Sequence, residues 1–158
     1  MRYQETQYGK ISTILFLLVI ASITVAFIRG TGDHPVTFTG FIILVSIFLI
    51  FLLNTYKLKI IVDDGCIHLI FGIGLIHLKL RPEHIREIKP VKLALITGWG
   101  FHYTMDGMLY NVQGRQAVRI LYGADGRKKM RIGTANPEAL IAAIQQEFPM
   151  EFPKIQVQ

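Results

Sequence analysis

The sequence has little of the chemistry from which enzymes are usually built. It contains one cysteine among 158 residues, and its three serines, Ser12, Ser22 and Ser46, all fall in long apolar runs. No Gly-x-Ser-x-Gly motif occurs, which argues against a serine hydrolase. The single cysteine, Cys66, excludes an intramolecular disulfide, and we expect it to be a buried thiol.

Motifs for metals, cofactors and nucleic acids are missing as well. Cys66, His68 and His77 lie on neighbouring predicted strands, but no Cys-x-x-Cys or His-Glu-x-x-His spacing supports a metal site. Gly72 and Gly74 separate two predicted strands with no helix behind them, unlike a dinucleotide-binding loop. The basic surface is too narrow for nucleic acid. We therefore predict a non-enzymatic protein with no metal, no cofactor, no nucleic-acid partner and no evident small-molecule substrate.

Charge is absent from two long stretches, residues 11–28 and 36–53. A helix rises 1.5 Å per residue, so each stretch would extend about 27 Å, close to the roughly 30 Å hydrocarbon core of a bilayer. The first stretch is longer than the apolar core of a signal peptide, which argues against cleavage. The sequence predicts a transmembrane helical hairpin over 11–54. Because no ionisable residue lies within the spans, the hairpin is predicted to be an anchor, not a transport path.

The connection between the spans is only long enough for a tight turn, so both chain ends must lie on one side. Lys and Arg indicate which side, because they are enriched in cytoplasmic segments. The connection carries Arg29, which Asp33 balances. Four basic residues flank the other ends of the spans: Arg2, Lys10, Lys57 and Lys59. We predict a multi-pass membrane protein with cytoplasmic N- and C-termini, in which residues 1–10 form a cytoplasmic flank.

From residue 55 the pattern changes to short alternating stretches separated by turns. Asp63-Asp64-Gly65 and Gly72-Ile73-Gly74 are typical hairpin turns, and strands repeating every 8–12 residues or so indicate a sandwich or a barrel. Asn136-Pro137-Glu138 is a helix start, with a capping residue, Pro at the first position and an acid in the first turn. We predict a mainly-β domain over 55–148, with about seven strands and a C-terminal α-helix, and a flexible tail at 149–158.

Several short segments resemble a known family. They are Gly98-Trp99-Gly100-Phe101, Tyr110-Asn111-Val112, Ala117-Val118 and the stretch from Arg131 to Leu140. With the two spans before them, they are similar to bacterial membrane proteins that carry a pleckstrin-homology-like (PH-like) domain. The resemblance implies a PH-like barrel at the bacterial inner membrane, and it implies no particular activity.

One departure from PH domains that bind phosphoinositides matters. Those domains place basic residues in and beside the loop between their first two strands. Here that loop is Asp63-Asp64-Gly65, whose carboxylates repel phosphate. The sequence therefore argues against inositide binding by that route.

The segment from Gly98 to Tyr110 is the first candidate binding surface, because it is rich in aromatic residues and glycine. Exposed aromatic residues favour interfaces and membrane boundaries. The alternative is that these rings fill the core of the barrel. The candidate partner-binding residues are Trp99, Phe101, Tyr103 and Arg115.

The second candidate surface is the densest cluster of charge. Arg127, Lys129 and Arg131 alternate along a predicted strand and so share one face, where they would meet lipid phosphates or an acidic partner. The alternative is an ordinary solvated hairpin tip.

These features favour a membrane-anchored PH-like module for protein–protein recognition or scaffolding at the cytoplasmic face. Its partners would be membrane lipids around the spans and a protein, either a different chain or a second copy of this one. Sensing of anionic lipid through the basic hairpin is one alternative. An accessory subunit of a larger membrane complex is another, since Ser22 and Ala26 would permit close helix contact.

Overall fold

The computed structural model describes residues 3–30, 35–94, 100–105 and 107–148, apart from the side chain of Phe101. The predicted tail at 149–158 lies outside the described residues. Within them the chain forms three helices and nine strands. In order these are β1 (Tyr3–Tyr8), α1 (Lys10–Arg29), α2 (Phe38–Thr55), β2 (Lys57–Asp63), β3 (Cys66–Phe71), β4 (Ile76–Leu80), β5 (Glu87–Lys92), β6 (Gly100–Thr104), β7 (Gly107–Asn111), β8 (Gln116–Tyr122), β9 (Lys128–Gly133) and α3 (Pro137–Glu147).

Both predicted spans are helices, and both are long and apolar enough to cross a membrane. α1 begins and ends within a residue of the predicted 11–28. α2 is displaced by two residues from the predicted 36–53, because the Thr37 hydroxyl caps it by accepting a hydrogen bond from the Gly40 N–H at 3.2 Å. Ser12 is the one buried side chain of α1, and α2 has none. Helices this apolar and this exposed are typical of lipid-solvated segments.

The residues before α1 form a strand that the sequence analysis did not predict. β1 pairs antiparallel with β2 over six residues, from Tyr3 opposite Val62 to Tyr8 opposite Lys57. Most of the predicted flank at 1–10 therefore belongs to the sheet. The β domain likewise includes β1 as well as residues after 55. Since β1 precedes the hairpin and β2 follows it, both lie on the same side of the hairpin.

The strands form two sheets, with the orders β1-β2-β3-β4 and β5-β8-β9-β7-β6. The first sheet is antiparallel throughout. In the second sheet β9 lies between β8 and β7, and it runs parallel to β7. This crossover places the hairpin that joins β8 and β9 next to the hairpin that joins β6 and β7.

One hydrophobic core joins the two sheets and α3. Buried side chains from both sheets, such as Leu69 and Ile132, meet Leu140 and Ile144 of α3. The helix begins as the sequence predicts: the Asn136 side chain accepts a hydrogen bond from a backbone N–H three residues on, at 3.1 Å. The C-terminal helix is therefore held by its apolar face against the inner faces of both sheets.

The β domain differs from the predicted barrel in two respects. It has nine strands where about seven were predicted, and among the described residues no strand pair joins the two sheets, so they do not close. β5 begins at Glu87, three residues after His84, whose φ of 54° lies outside the extended region. The architecture is a helical hairpin followed by two β-sheets and a C-terminal helix.

Candidate functional site

The strands give the domain two ends. At the junction end, β1 and β2 run directly into α1 and α2, and the Gly9 N–H donates to the Tyr56 carbonyl at 2.8 Å. β6 also starts here, since Gly100 lines the same pocket as Ser12 of α1. The opposite, distal end holds the turns that follow β2, β6 and β8.

The domain docks on the helix ends without a linker. The turn after β3 meets the end of α2, where the Ile73 N–H donates to the Leu53 carbonyl at 3.2 Å. A Cβ on Gly72 would lie 1.7 Å from that carbonyl oxygen, and one on Gly9 would lie 2.8 Å from the Thr55 carbonyl oxygen. Only glycine permits backbones to approach this closely. The hairpin and the domain therefore form one continuous structure.

A pocket of about 490 Å³ lies at the junction end. Its walls come from both helices and from three strands, and they include Phe16, Phe51, Phe71, Ile76 and His102. The volume is within the range of about 300–1,000 Å³ that is usual for ligand pockets. Nothing in the sequence predicts this pocket, because its lining comes from five separate elements and carries no motif.

The predicted aromatic surface is only partly described. Trp99 lies outside the described residues, as does the side chain of Phe101, whose backbone belongs to β6. The Tyr103 side chain is 81% exposed. Tyr110 is buried in the core, where burial first and then Tyr122 raise its pKa. Of the described rings, one therefore faces solvent and one fills the core.

Arg115 lies apart from Tyr103, at the junction end. Its carbonyl accepts from the Leu93 N–H at 2.6 Å, and its Nε donates to the Leu93 carbonyl at 3.4 Å. These contacts tie the residues after β5 to the start of β8. The structure therefore does not bring Arg115 and Tyr103 together, because the two residues lie at opposite ends of the sheet.

The predicted basic face separates into exposed and structural residues. Arg127 and Lys129 are exposed at the distal end, whereas Arg131 is half-buried and its guanidinium donates to the Thr104 hydroxyl. Arg131 therefore links β9 to β6, and of the three cations predicted to share one face only Arg127 and Lys129 are exposed. The reason is the parallel pairing of β7 with β9, which brings β6 within reach.

The same pairing creates a surface that we call the distal patch. Tyr103 and Met105 from the β6–β7 hairpin line a concavity of about 330 Å³ together with cations from the β8–β9 hairpin. The patch consists of Tyr103, Met105, Arg127, Lys128 and Lys129. The distal patch thus contains Tyr103 from the first predicted surface and Arg127 and Lys129 from the second. Met105 and Lys128 lie in the two predicted segments but were not named as site residues, and nothing in the sequence signals contact between the two hairpins.

Charge is distributed unevenly between the two ends. The described turns and strand ends at the junction carry Lys57, Lys92 and Arg115 and no Asp or Glu, while Lys10 begins α1 and Glu138 lies in the first turn of α3, which follows β9. The distal turns carry both signs, with Asp63, Asp64, Glu83 and Asp125 among several cations. The surface next to the helices is therefore the more positive one.

Two of the histidines, His68 and His77, lie with the cysteine on the outer face of the first sheet. The rings of His68 and His77 approach to 3.0 Å between Nδ1 and Nε2. The buried thiol of Cys66, which confirms the prediction of burial, accepts a hydrogen bond from Arg81 Nε at 3.0 Å. Within the described ranges, no three His, Cys, Asp or Glu side chains gather as they would around a metal.

The chain matches no protein-family model, no curated protein and no solved structure.

Proposed function

We propose that this chain is a non-enzymatic PH-like module, anchored in the bacterial inner membrane by its helical hairpin, that recognises a protein partner at the cytoplasmic face. The PH-like class is supported by the sequence resemblance and by two sheets with a C-terminal helix packed on their core. The observation that carries the recognition role is the distal patch, which points away from the hairpin.

The composition of the distal patch fits a protein partner. Tyr103 is 81% exposed and Met105 is fully exposed, beside three cations. Aromatic residues, Met and Arg are enriched at protein interfaces, and Met adapts its shape to different partners. We infer that the partner presents an apolar side chain flanked by acidic residues.

Sensing of anionic lipid through the basic hairpin has less support. β9 leads from that hairpin back toward the junction, and its six residues extend about 20 Å at 3.3 Å per residue. At physiological salt, electrostatic attraction fades over about 8 Å. A leaflet at the helix ends would therefore act on the cations of the junction and not on Arg127 or Lys129. An accessory-subunit role is compatible with the exposed helix faces, but no specific contact favours it.

The cytoplasmic placement of the domain is supported by the charge distribution. Cations at the junction end would face the anionic phosphates of the cytoplasmic leaflet, and no described acidic residue at those strand ends and turns opposes them. The pairing of β1 with β2 supports an even number of membrane crossings between them.

Photo-crosslinking in native membranes tests the recognition role. A photo-reactive phenylalanine analogue in place of Tyr103 should form an adduct with one protein partner. The double variant Arg127→Glu with Lys129→Glu should lower the yield about tenfold, because it replaces attraction to acidic residues by repulsion.

Two matched controls make that experiment specific. The same analogue in place of Lys79, exposed on the first sheet, should give no such adduct. Reversing two exposed charges elsewhere, Lys79→Glu with Lys92→Glu, should leave the Tyr103 adduct intact. Adducts with lipid alone, or a yield that ignores the charge of the distal patch, would contradict the proposal.

Cysteine labelling in intact cells tests the sidedness. In a Cys66→Ala background, Pro35→Cys in the connection between the helices should react with a membrane-impermeant maleimide added outside. Lys128→Cys at the distal end should react only after the cells are permeabilised, because the domain lies on the other side. The reverse pattern would place the domain outside the cytoplasm.

A further inference from the structure

The pocket at the junction end has walls from both the hairpin and the β domain. Phe16 and Phe51 contribute from the helices, with ring centroids 6.4 Å apart, and Phe71 and Ile76 contribute from the first sheet. Phe16 lies six residues after the start of α1, about 9 Å along the helix axis. The pocket therefore extends from the level of the helix ends into the level of the hydrocarbon.

The polar side chains that line the pocket do not offer donors to it. The Ser12 hydroxyl donates to the Gly9 carbonyl at 2.9 Å, and the Asn54 amide and Thr55 hydroxyl donate to carbonyls one turn earlier, each at 2.8 Å. With these donors used locally, the wall is mainly apolar, with Asn54 Oδ1 as a buried acceptor that has no hydrogen-bond partner and His102 as the one ionisable side chain among the described lining. Such a cavity favours a hydrocarbon occupant over water.

The pocket opens toward the outside of the hairpin. Ile50 is 58% exposed and Phe51 is 56% exposed, and both also line the pocket. Their exposed sides continue the apolar surface of α2, which lipid would cover in a bilayer. The most concentrated apolar molecule at this opening is therefore the phospholipid of the surrounding leaflet.

We propose that the junction pocket binds one acyl chain of a phospholipid, which enters sideways from the leaflet and reaches beneath the core of the β domain. This inference rests on the membrane anchoring in the proposed function. The bound chain would complete the contact between hairpin and domain, so that the lipid is part of the folded protein at this position.

The test uses the full-length chain in vesicles of phosphatidylcholine that contain a fraction with a photo-reactive diazirine near the middle of one acyl chain. After irradiation, labelled positions are mapped by mass spectrometry. Lipid around the hairpin labels α1 and α2 in any case. We expect additional labelling of Ile76 and His102, which belong to the domain and line the pocket.

Variants that fill the pocket should lower the labelling of the domain about tenfold and leave the labelling of α1 and α2 unchanged. Ile76→Trp fills it from the domain, and Ile50→Trp fills it from the lipid-facing side of α2 without touching the core. Their controls are Leu75→Trp and Ile43→Trp, which change exposed neighbours outside the pocket.

The outcomes separate this inference from the proposed function. Labelled helices with an unlabelled domain, or domain labelling that both filling variants leave unchanged, would overturn the acyl-chain site and leave the anchor in place. Unlabelled helices would overturn the anchor itself, and the acyl-chain site with it.

Discussion

Gly72→Ala should destabilise the full-length protein by about 3–5 kcal/mol, the range of the most damaging single substitutions. The new Cβ would lie 1.7 Å from the Leu53 carbonyl oxygen and 2.7 Å from Asn54 Cα. Both are backbone atoms, so no side-chain rotation relieves the clash. The residue also has a φ of 55°, which adds about 1–2 kcal/mol for any side chain. In detergent, thermal unfolding followed by circular dichroism should move down by about 10 °C.

Gly65→Ala is the matched control. Gly65 has a φ of 63° in the turn between β2 and β3, and nothing lies within 4 Å of the position that a Cβ would take there. The Gly65→Ala variant therefore carries the backbone penalty without the clash. Its free energy of unfolding should fall by only about 1–2 kcal/mol. If the two variants unfolded at the same temperature, the close contact between the β3–β4 turn and the end of α2 would be refuted.

The parts of the fold that the sequence predicted are those fixed by local chemistry. The helices α1 and α2 follow from uncharged apolar runs. The turn at Asp64 and Gly65 follows from residues that tolerate positive φ, here 49° and 63°. The start of α3 follows from Asn136 and the proline after it. Each of these signals acts within a few residues, so a single sequence suffices to read it.

The parts that were missed depend on pairing between distant residues. β1 turns Glu5 and Gln7 inward, so it lacks the apolar alternation by which strands are recognised. The distal patch likewise depends on β9 inserting between β8 and β7, which sets Met130 opposite Met108. Neither arrangement has a local signal, because hydrogen bonds and shape complementarity across the fold decide both.

The direct continuity of helices and strands bears on how the protein would work. β1 enters α1 through Gly9 alone, and α2 enters β2 through Tyr56 alone. A displacement of one helix relative to the other would therefore shift the β1–β2 register or break the Gly9–Tyr56 hydrogen bond. The distal patch is built on the same core as these strands. The anchor would thus hold the patch at a fixed height and orientation above the membrane.

β1 has a second structural role through its inward polar side chains. The Glu5 carboxylate accepts hydrogen bonds from the Thr134 hydroxyl at 2.5 Å and from the Ala135 N–H at 2.7 Å. Tyr3 also donates to Glu5, at 2.8 Å, and burial followed by the Glu5 carboxylate raises its pKa far above the ordinary value. The phenol therefore stays protonated and keeps donating. Hydrogen bonds to a charged group contribute about 1.5–3 kcal/mol each, so this cluster alone stabilises the domain by several kcal/mol.

A chain that begins at Lys57 should consequently fail to fold, although it retains eight of the nine strands. It loses the partner of β2 and the carboxylate of Glu5, a loss comparable to the 5–15 kcal/mol that stabilises a typical domain.

A chain in which Asn-Gly replaces residues 10–55 should fold in water, because Gly9 and Tyr56 are already hydrogen-bonded neighbours that a two-residue turn can join. Cooperative thermal unfolding and dispersed amide resonances should appear for the second chain only. Adding Glu5→Ala to it should lower its stability by about 3–6 kcal/mol, whereas Gln4→Ala, on the exposed face of β1, should leave it nearly unchanged. Equal folding of the two chains would contradict the role of β1, because the domain would then be complete without the residues before the hairpin.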